Sequence, residues 1–419
     1  MAGAFGFVRE FLMPKRPDLM TDETVGSFIE RRMDKRLANN LISAVFHGIY
    51  AGDIWKLSAR TLLGTAWQLE GMYGSALSGY LKLQSEQEQP AQPMMVAHPY
   101  DIAAAKEMNA EFMINDDFAK KLQSASTYTF KEGLQQLITT LQEVVEKTGN
   151  VDVKVNSPVQ STKPLESGKA GVQVSTGVRP FPLLPTKFHS LTKPQHDDNL
   201  TTENYDLVIS SLRNTSLTPY VTVQTINLYY STPNLHPYQG FGYLIPQSVP
   251  FEENPERALG VIFDSYTTKG QDSVDGTKLT IMLGGHWWDS WTSYPTSDEG
   301  LEMAKSVVAR HLGITDEPAA YFVNLSKDCI PQYTVGYEDR LKDFKEGIGR
   351  EFKGRLRVVG NQFNGVGVND VVTGAWNMAR GLRGEGWKSG SVGLDKVGDP
   401  SAWRRVPVRE MAYRTKEQQ

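Results

Sequence analysis

The sequence predicts a mixed α/β protein, with α+β layering, divided into two or three domains. Three observations carry this. Apolar residues recur at helical spacing through the first 145 positions. The period changes to two after Gly149. Near the C-terminus, a β-type run enters a glycine-rich turn and then a helical pattern. The length of 419 residues allows a large buried core.

The elements follow in order. Residues 18–83 read as helices. Asp22 is a plausible N-cap for a run carrying Val25, Phe28, Ile29 and Met33, and a second run (Leu37, Leu41, Ile42, Val45, Phe46) ends near Gly48. Residues 84–97 are polar and interrupted by Pro90 and Pro93, which predicts a loop. Residues 100–122 read as helical. From Thr129 to Val145, Leu134, Leu137, Ile138, Leu141, Val144 and Val145 share one helical face. Val151, Val153 and Val155 alternate with polar residues and predict a half-buried strand. Residues 161–203 read as a polar insertion with a strand-like island at Gly171 to Thr176. Tyr205 to Leu212 reads as a short buried strand. Several strands are expected over 218–285, a helix over Leu301 to Leu312, and a strand from Leu356 to Val359. A helix to about Leu382 follows, and residues 383–419 read as a tail.

Composition limits what the chain does. Forty per cent of residues are hydrophobic and 22% charged, which excludes wholesale disorder. Lys plus Arg is 44 and Asp plus Glu 48, a net charge of −4, which argues against a partner held by bulk positive charge, such as nucleic acid. The one cysteine, Cys329, permits neither an intrachain disulfide nor a Cys-rich zinc site. It reads as a buried structural thiol. The seven histidines show no metal-ligand spacing, and His286 beside Trp287 and Trp288 reads as structural.

No stretch approaches the roughly 18 consecutive apolar residues of a membrane-spanning helix. Met1 to Pro14 is apolar except for Arg9 and Glu10. Two readings stay open: a helix packed on the core, or an interfacial helix with Phe5, Phe7, Val8, Phe11, Leu12 and Met13 facing a bilayer.

The tightest chemical signal is Arg355 to Leu382, in which a strand runs into Gly360, Gly365 and Gly367 and then a helix from Val368. Such a turn converges backbone N–H groups and a positive helix end on one point, suited to a phosphate or an electron-rich ring oxygen. A close strand–helix packing turn explains the pattern equally well. It is not a dinucleotide fingerprint, because Gly365-x-Gly367-x-x ends in Asp370.

This segment resembles the C-terminal flavin-contacting motif of the flavin amine oxidase superfamily. Gly48 to Ser58 (GIYAGDIWKLS), Gly240 to Pro246 (GFGYLIP), Ile281 to Trp287 (IMLGGHW) and Cys329 to Gly336 (CIPQYTVG) resemble, within it, the oxygen-dependent protoporphyrinogen oxidases of eukaryotes. The resemblance implies part of a Rossmann-like FAD domain (123–217 and 345–382), a mixed-sheet substrate domain (218–344), and a helical, substrate- and membrane-associated domain (1–122). It assigns non-covalent FAD contacts to Val159, Val366, Gly367 and Val368. It assigns the walls of a flat tetrapyrrole slot to Phe241, Gly242, Leu244, Ile262 and Met282. Taken without the resemblance, those five read as core strand residues.

The activity implied is oxidation of protoporphyrinogen IX to protoporphyrin IX in haem synthesis, with O2 as acceptor and no catalytic side chain, because the flavin carries the chemistry. A peripheral place on the mitochondrial inner membrane and a possible homodimer are implied as well. The sequence departs from the family in lacking its opening GxGxxG unit, the acidic residue for the ribose, and the arginine for a substrate propionate. The expectation is a gene start placed late, or a remnant that holds FAD weakly. Two other readings are a non-catalytic porphyrin- or membrane-binding remnant and a different flavin amine oxidase.

Overall fold

The computed structural model describes residues 8–85, 94–112, 115–125, 128–165, 170–177, 200–386, 389–397 and 403–408. Phe5 and Phe7, most of the 84–97 loop, and much of the 161–203 insertion and the tail lie outside them. The chain divides into two units. One comprises Met1–Gly133, Arg213–Leu341 and Gly398–Gln419, the other Leu134–Leu212 and Lys342–Val397.

The first unit is organised by a five-stranded antiparallel sheet. Its strands, numbered in chain order, are β6 (Tyr220–Tyr230), β7 (Gly242–Leu244), β8 (Ala258–Ile262), β9 (Thr277–Gly284) and β10 (Ala320–Pro331), in the spatial order β10-β6-β9-β8-β7. Alternation sorts its two faces. Ile226, Val261 and Ile281 point into the main core, where Ala304, Val307 and Val308 of the Ser297–Leu312 helix meet them. Thr296 and Glu299 form a capping box that starts this helix earlier than its apolar pattern does. A Cβ on Gly300 would stand against the Gln224 amide, so the missing side chain lets helix and sheet approach closely.

Helices Val25–Arg32, Ser43–Tyr50 and Gly64–Tyr73 enclose a second core around Phe28, Phe46, Ile54 and Trp67. Thr24, not Asp22, caps the first of them. Asp22 instead accepts from the Ser58 hydroxyl and from the Arg60 and Gly336 N–H groups, tying together segments distant in sequence. In the segment expected to be a tail, β12 (Arg404–Pro407) pairs antiparallel with β1 (Met94–Ala97).

The second unit has a three-stranded antiparallel sheet of β2 (Val159–Pro164), β3 (Val172–Thr176) and β4 (Thr201–Tyr205). It also has a parallel pair, β5 (Val208–Ser210) with β11 (Leu356–Val358). The buried strand expected over 205–212 is thus shorter and not buried: Tyr205 belongs to β4, and Ile209 and Leu212 are exposed, since the parallel pair leaves them uncovered. The strand expected at 151–155 does not form. Val151, Val153 and Val155 are exposed, and no described strand pairs with them, so their alternation has no ladder to join. The Gln135–Lys147 helix is amphipathic as read, yet Leu134, Ile138, Leu141, Val144 and Val145 on its apolar face are exposed.

Candidate functional site

Four segments singled out in the sequence meet in the first unit. The Ser43–Tyr50 helix ends at Ala51, whose φ of 49° reverses the chain. The Ala51 carbonyl accepts from the His286 N–H at 2.8 Å, joining the 48–58 segment to the GGHW turn. Gln332 donates through Nε2 to the Tyr50 carbonyl at 2.9 Å, and the Ser58 N–H donates to the Tyr333 carbonyl at 2.8 Å. Those two bonds bring in the Pro331-Gln332-Tyr333 segment. Gly48 faces Leu244 at a spacing that leaves no room for a Cβ, which seats the helix on β7. Motifs far apart in sequence therefore form one junction at the edge of the large sheet.

At its centre are two histidines. Nδ1–H of His47 donates to the Ile245 carbonyl, which leaves its Nε2 as an acceptor. His286 Nε2 lies 2.8 Å from that atom and donates to it. Burial lowers the pKa of both rings, that of His286 to about 3, with His47 as its second cause. Gln247 donates to Asp53 at 2.9 Å beside them. His286 is thus structural, as read. Its partner was invisible, because nothing in the sequence links residues 239 positions apart.

The sheet face opposite the main core carries the expected slot residues. Cross-strand pairing aligns Gly242, Ile262, Thr280 and Asn227 in one row, and Leu244, Gly260, Met282 and Thr225 in the next. Leu244, Ile262 and Met282 therefore share a face and stay partly exposed, while Tyr243, Val261 and Ile281 between them turn inward. Phe241 is 62% exposed just before β7. Gly242 has a φ of 141°, and a Cβ there would collide with the Val261 carbonyl. The neighbouring strand alone requires that glycine.

Sequence reasoning missed the polar part of this face. Asn227 Nδ2 donates to Thr280 Oγ1 at 2.6 Å, and that hydroxyl donates to Asp264 Oδ2 at 2.6 Å. Counting by two from Ile262 and Met282 would have placed Asp264 and Thr280 on it. Phe322, paired with Asn227 across β6 and β10, extends the face with an exposed ring. Cys329 Sγ lies 3.5 Å from the Val221 carbonyl, and burial raises its pKa, in keeping with a structural thiol.

The residues expected at a flavin lie in the second unit. Val159 opens β2, and its Cα partner is Thr176. Val366, Gly367 and Val368 lead from a sharp turn (Gly365, φ 123°) into the Val368–Glu385 helix, with Gly367 as N-cap. The Gly367 N–H donates to the Asp370 carboxylate at 3.3 Å. A Cβ on Gly365 or Gly367 would stand 2.6 or 2.9 Å from Asp370 Oδ2, so the missing side chains let that carboxylate fold back onto the turn.

A model described as flavin containing amine oxidoreductase matches residues 6–382. The chain belongs to that family. Among relatives of this flavin-containing amine oxidoreductase, the protoporphyrinogen oxidase of Schizosaccharomyces pombe is 31% identical over 375 residues, covering 86% of this chain and 68% of that one. The protoporphyrinogen oxidase of Homo sapiens is 28% identical over 373 residues, covering 87% and 69%. A crystal structure of a candidate protoporphyrinogen oxidase from Exiguobacterium sp. 255-15 superposes with a TM-score of 0.61 at 17% identity, covering 90% of this chain and 71% of that one, and shares the fold.

The family's cofactor is a flavin. The Gly365 to Val368 turn brings a helix N-terminus to a point suited to an electron-rich group, with the Asp370 carboxylate holding the Gly367 N–H there. The sequence contains no GxGxxG turn to hold a dinucleotide pyrophosphate.

Proposed function

We propose that this oxidoreductase takes part in the FAD-dependent oxidation of protoporphyrinogen IX to protoporphyrin IX. The observation that carries this is the shared, partly exposed sheet face bearing Leu244, Ile262 and Met282, in a chain 31% identical to a protoporphyrinogen oxidase. A planar hydrocarbon macrocycle needs apolar walls with little polar interruption. Met282 adapts to the edge of the ring, and Phe241 offers an aromatic surface. FAD, when bound, supplies a two-electron acceptor that O2 reoxidises with release of hydrogen peroxide. The protein's part is to hold a bridging carbon in place and keep water from it, so no acid–base pair is required. Val366, Gly367, Val368 and Val159 are the residues proposed to hold the flavin.

The chain is also proposed to sit on a membrane surface, the mitochondrial inner membrane being the place that the sequence resemblance implies. In residues 8–12, Glu10 is 1% exposed, whereas Val8, Phe11 and Leu12 face outward. This inverts the usual order for a surface helix and suits an apolar ledge on a bilayer. Among the described residues, no helix is long and apolar enough to cross a membrane. The test of function is to supply protoporphyrinogen IX and FAD in air and follow porphyrin fluorescence and peroxide together. FAD-dependent formation of both supports the reading, and oxidation of primary amines in their place contradicts it.

A further inference from the structure

The proposed slot carries one ionisable side chain, Asp264, beside its apolar and neutral residues. Asp264 follows Ile262 by two residues, and its carboxylate is fixed on the slot face by Thr280, whose hydroxyl is oriented in turn by Asn227. Among the described residues the carboxylate accepts this side-chain hydrogen bond and one from its own backbone N–H, which leaves part of its about four lone-pair sites open. Among the described residues no cation is ion-paired with it: Lys278, which favours its charged form, is bound to Asp272 at 2.6 Å. Burial raises its pKa. A half-buried, acceptor-only group on an apolar wall suits a ligand that carries N–H donors.

A reduced tetrapyrrole is such a ligand. Its four bridges are saturated, each pyrrole can turn, and every nitrogen carries a hydrogen, so the N–H groups can tilt to the same side. The oxidised macrocycle is flat and conjugated, and its two N–H groups lie in the ring plane, pointing at the centre. An acceptor standing up from the wall reaches the first arrangement and not the second. We propose that the Asp264 carboxylate, positioned by Thr280 and Asn227, accepts hydrogen bonds from the pyrrole N–H groups of the reduced macrocycle. The site thereby prefers the reduced macrocycle to the flat oxidised one. This rests on the reading of the slot as a tetrapyrrole site, and it adds substrate-over-product selectivity to that reading.

The test uses the 419-residue chain without flavin, under nitrogen. Binding of protoporphyrinogen IX and of protoporphyrin IX is measured by equilibrium dialysis for the wild type and for Asp264→Asn. Asparagine keeps an oxygen for Thr280 and removes the charge. The expected result is about tenfold weaker binding of the reduced ligand, the scale of a lost charge-assisted hydrogen bond, with the oxidised ligand changed less than about twofold. Asp264→Ser should repeat the pattern if the asparagine variant folds poorly. Equal losses for both ligands, or no loss for either, would overturn the proposal. Failure of the wild type to bind either ligand would overturn the reading of the slot itself.

Discussion

His47 Nε2 and His286 Nε2 face each other at 2.8 Å, and one hydrogen shared between two neutral rings holds a helix against the turn that ends β9. Proton uptake by either ring breaks that arrangement. Burial lowers the pKa of both, and Lys56 and Arg257 oppose the charged form of His286 while Asp53 favours it. The unfolded chain therefore binds protons more readily, with an ordinary imidazole pKa near 6.5. Stability is fully present above about pH 6.5 and declines as pH falls toward 3. At pH 5 the His286 contribution alone is a loss of about 2 kcal/mol. Urea denaturation at pH 7.5 and pH 5 checks this, and His286→Asn should flatten the difference.

A second prediction concerns the ion pair beneath the first described residues. Arg32 Nη2 meets Glu10 Oε1 at 2.7 Å with both side chains 1% exposed, and Glu10 also accepts from Ser75 and the Ala76 N–H. Arg32→Met leaves a buried carboxylate without its cation and should cost about 3–5 kcal/mol. Lys15→Met removes an exposed pair with Asp18 and should leave stability nearly unchanged. Parallel denaturation curves decide it.

The outward-facing Phe11 and Leu12 make a third case. Phe11→Ser together with Leu12→Ser should reduce sedimentation with anionic vesicles and leave the melting temperature nearly unchanged, because neither side chain is buried. Equal vesicle binding by the double variant would place the membrane contact elsewhere.

Flavin retention separates the two parts of a dinucleotide. With no pyrophosphate-binding glycines in its sequence, the 419-residue chain should purify with little FAD. Gly367→Trp should remove whatever flavin titrates in, while Val371→Ile should not. Absorbance near the flavin bands reads both, and a stoichiometric, tightly held flavin in the unaltered chain would contradict the first expectation.

The apolar face of the Gln135–Lys147 helix yields a fifth prediction. Leu141 is 53% exposed, so Leu141→Glu should change stability by less than about 0.5 kcal/mol. In a packed core, truncating a leucine costs about 2–5 kcal/mol. The same change should shift size-exclusion elution toward the monomer if the face drives self-association.

Local pattern made much of this structure legible. The Ser297–Leu312 helix and the glycine turn before Val368 were visible because their signals lie within a few residues of one another. The strand expected at Val151 to Val155 failed for the complementary reason: alternation describes a side-chain arrangement, and a strand also needs a partner's backbone. Asp22 was read as a local cap and proved to be a long-range tie to Ser58 and Gly336. On the slot face, the apolar residues were found through resemblance. Asp264, Thr280 and Asn227 were missed because polar residues in strands attract no notice until register aligns them.

The central claim is that the sheet face carrying Ile262 and Met282 receives a tetrapyrrole. Fluorescence titration of protoporphyrin IX with the wild-type chain and with Ile262→Arg tests it directly, since Ile262 is partly exposed and lies outside the main core. The account predicts saturable, one-to-one binding by the wild type and its loss in the variant at unchanged stability. Undiminished binding in Ile262→Arg and also in Met282→Arg would contradict it.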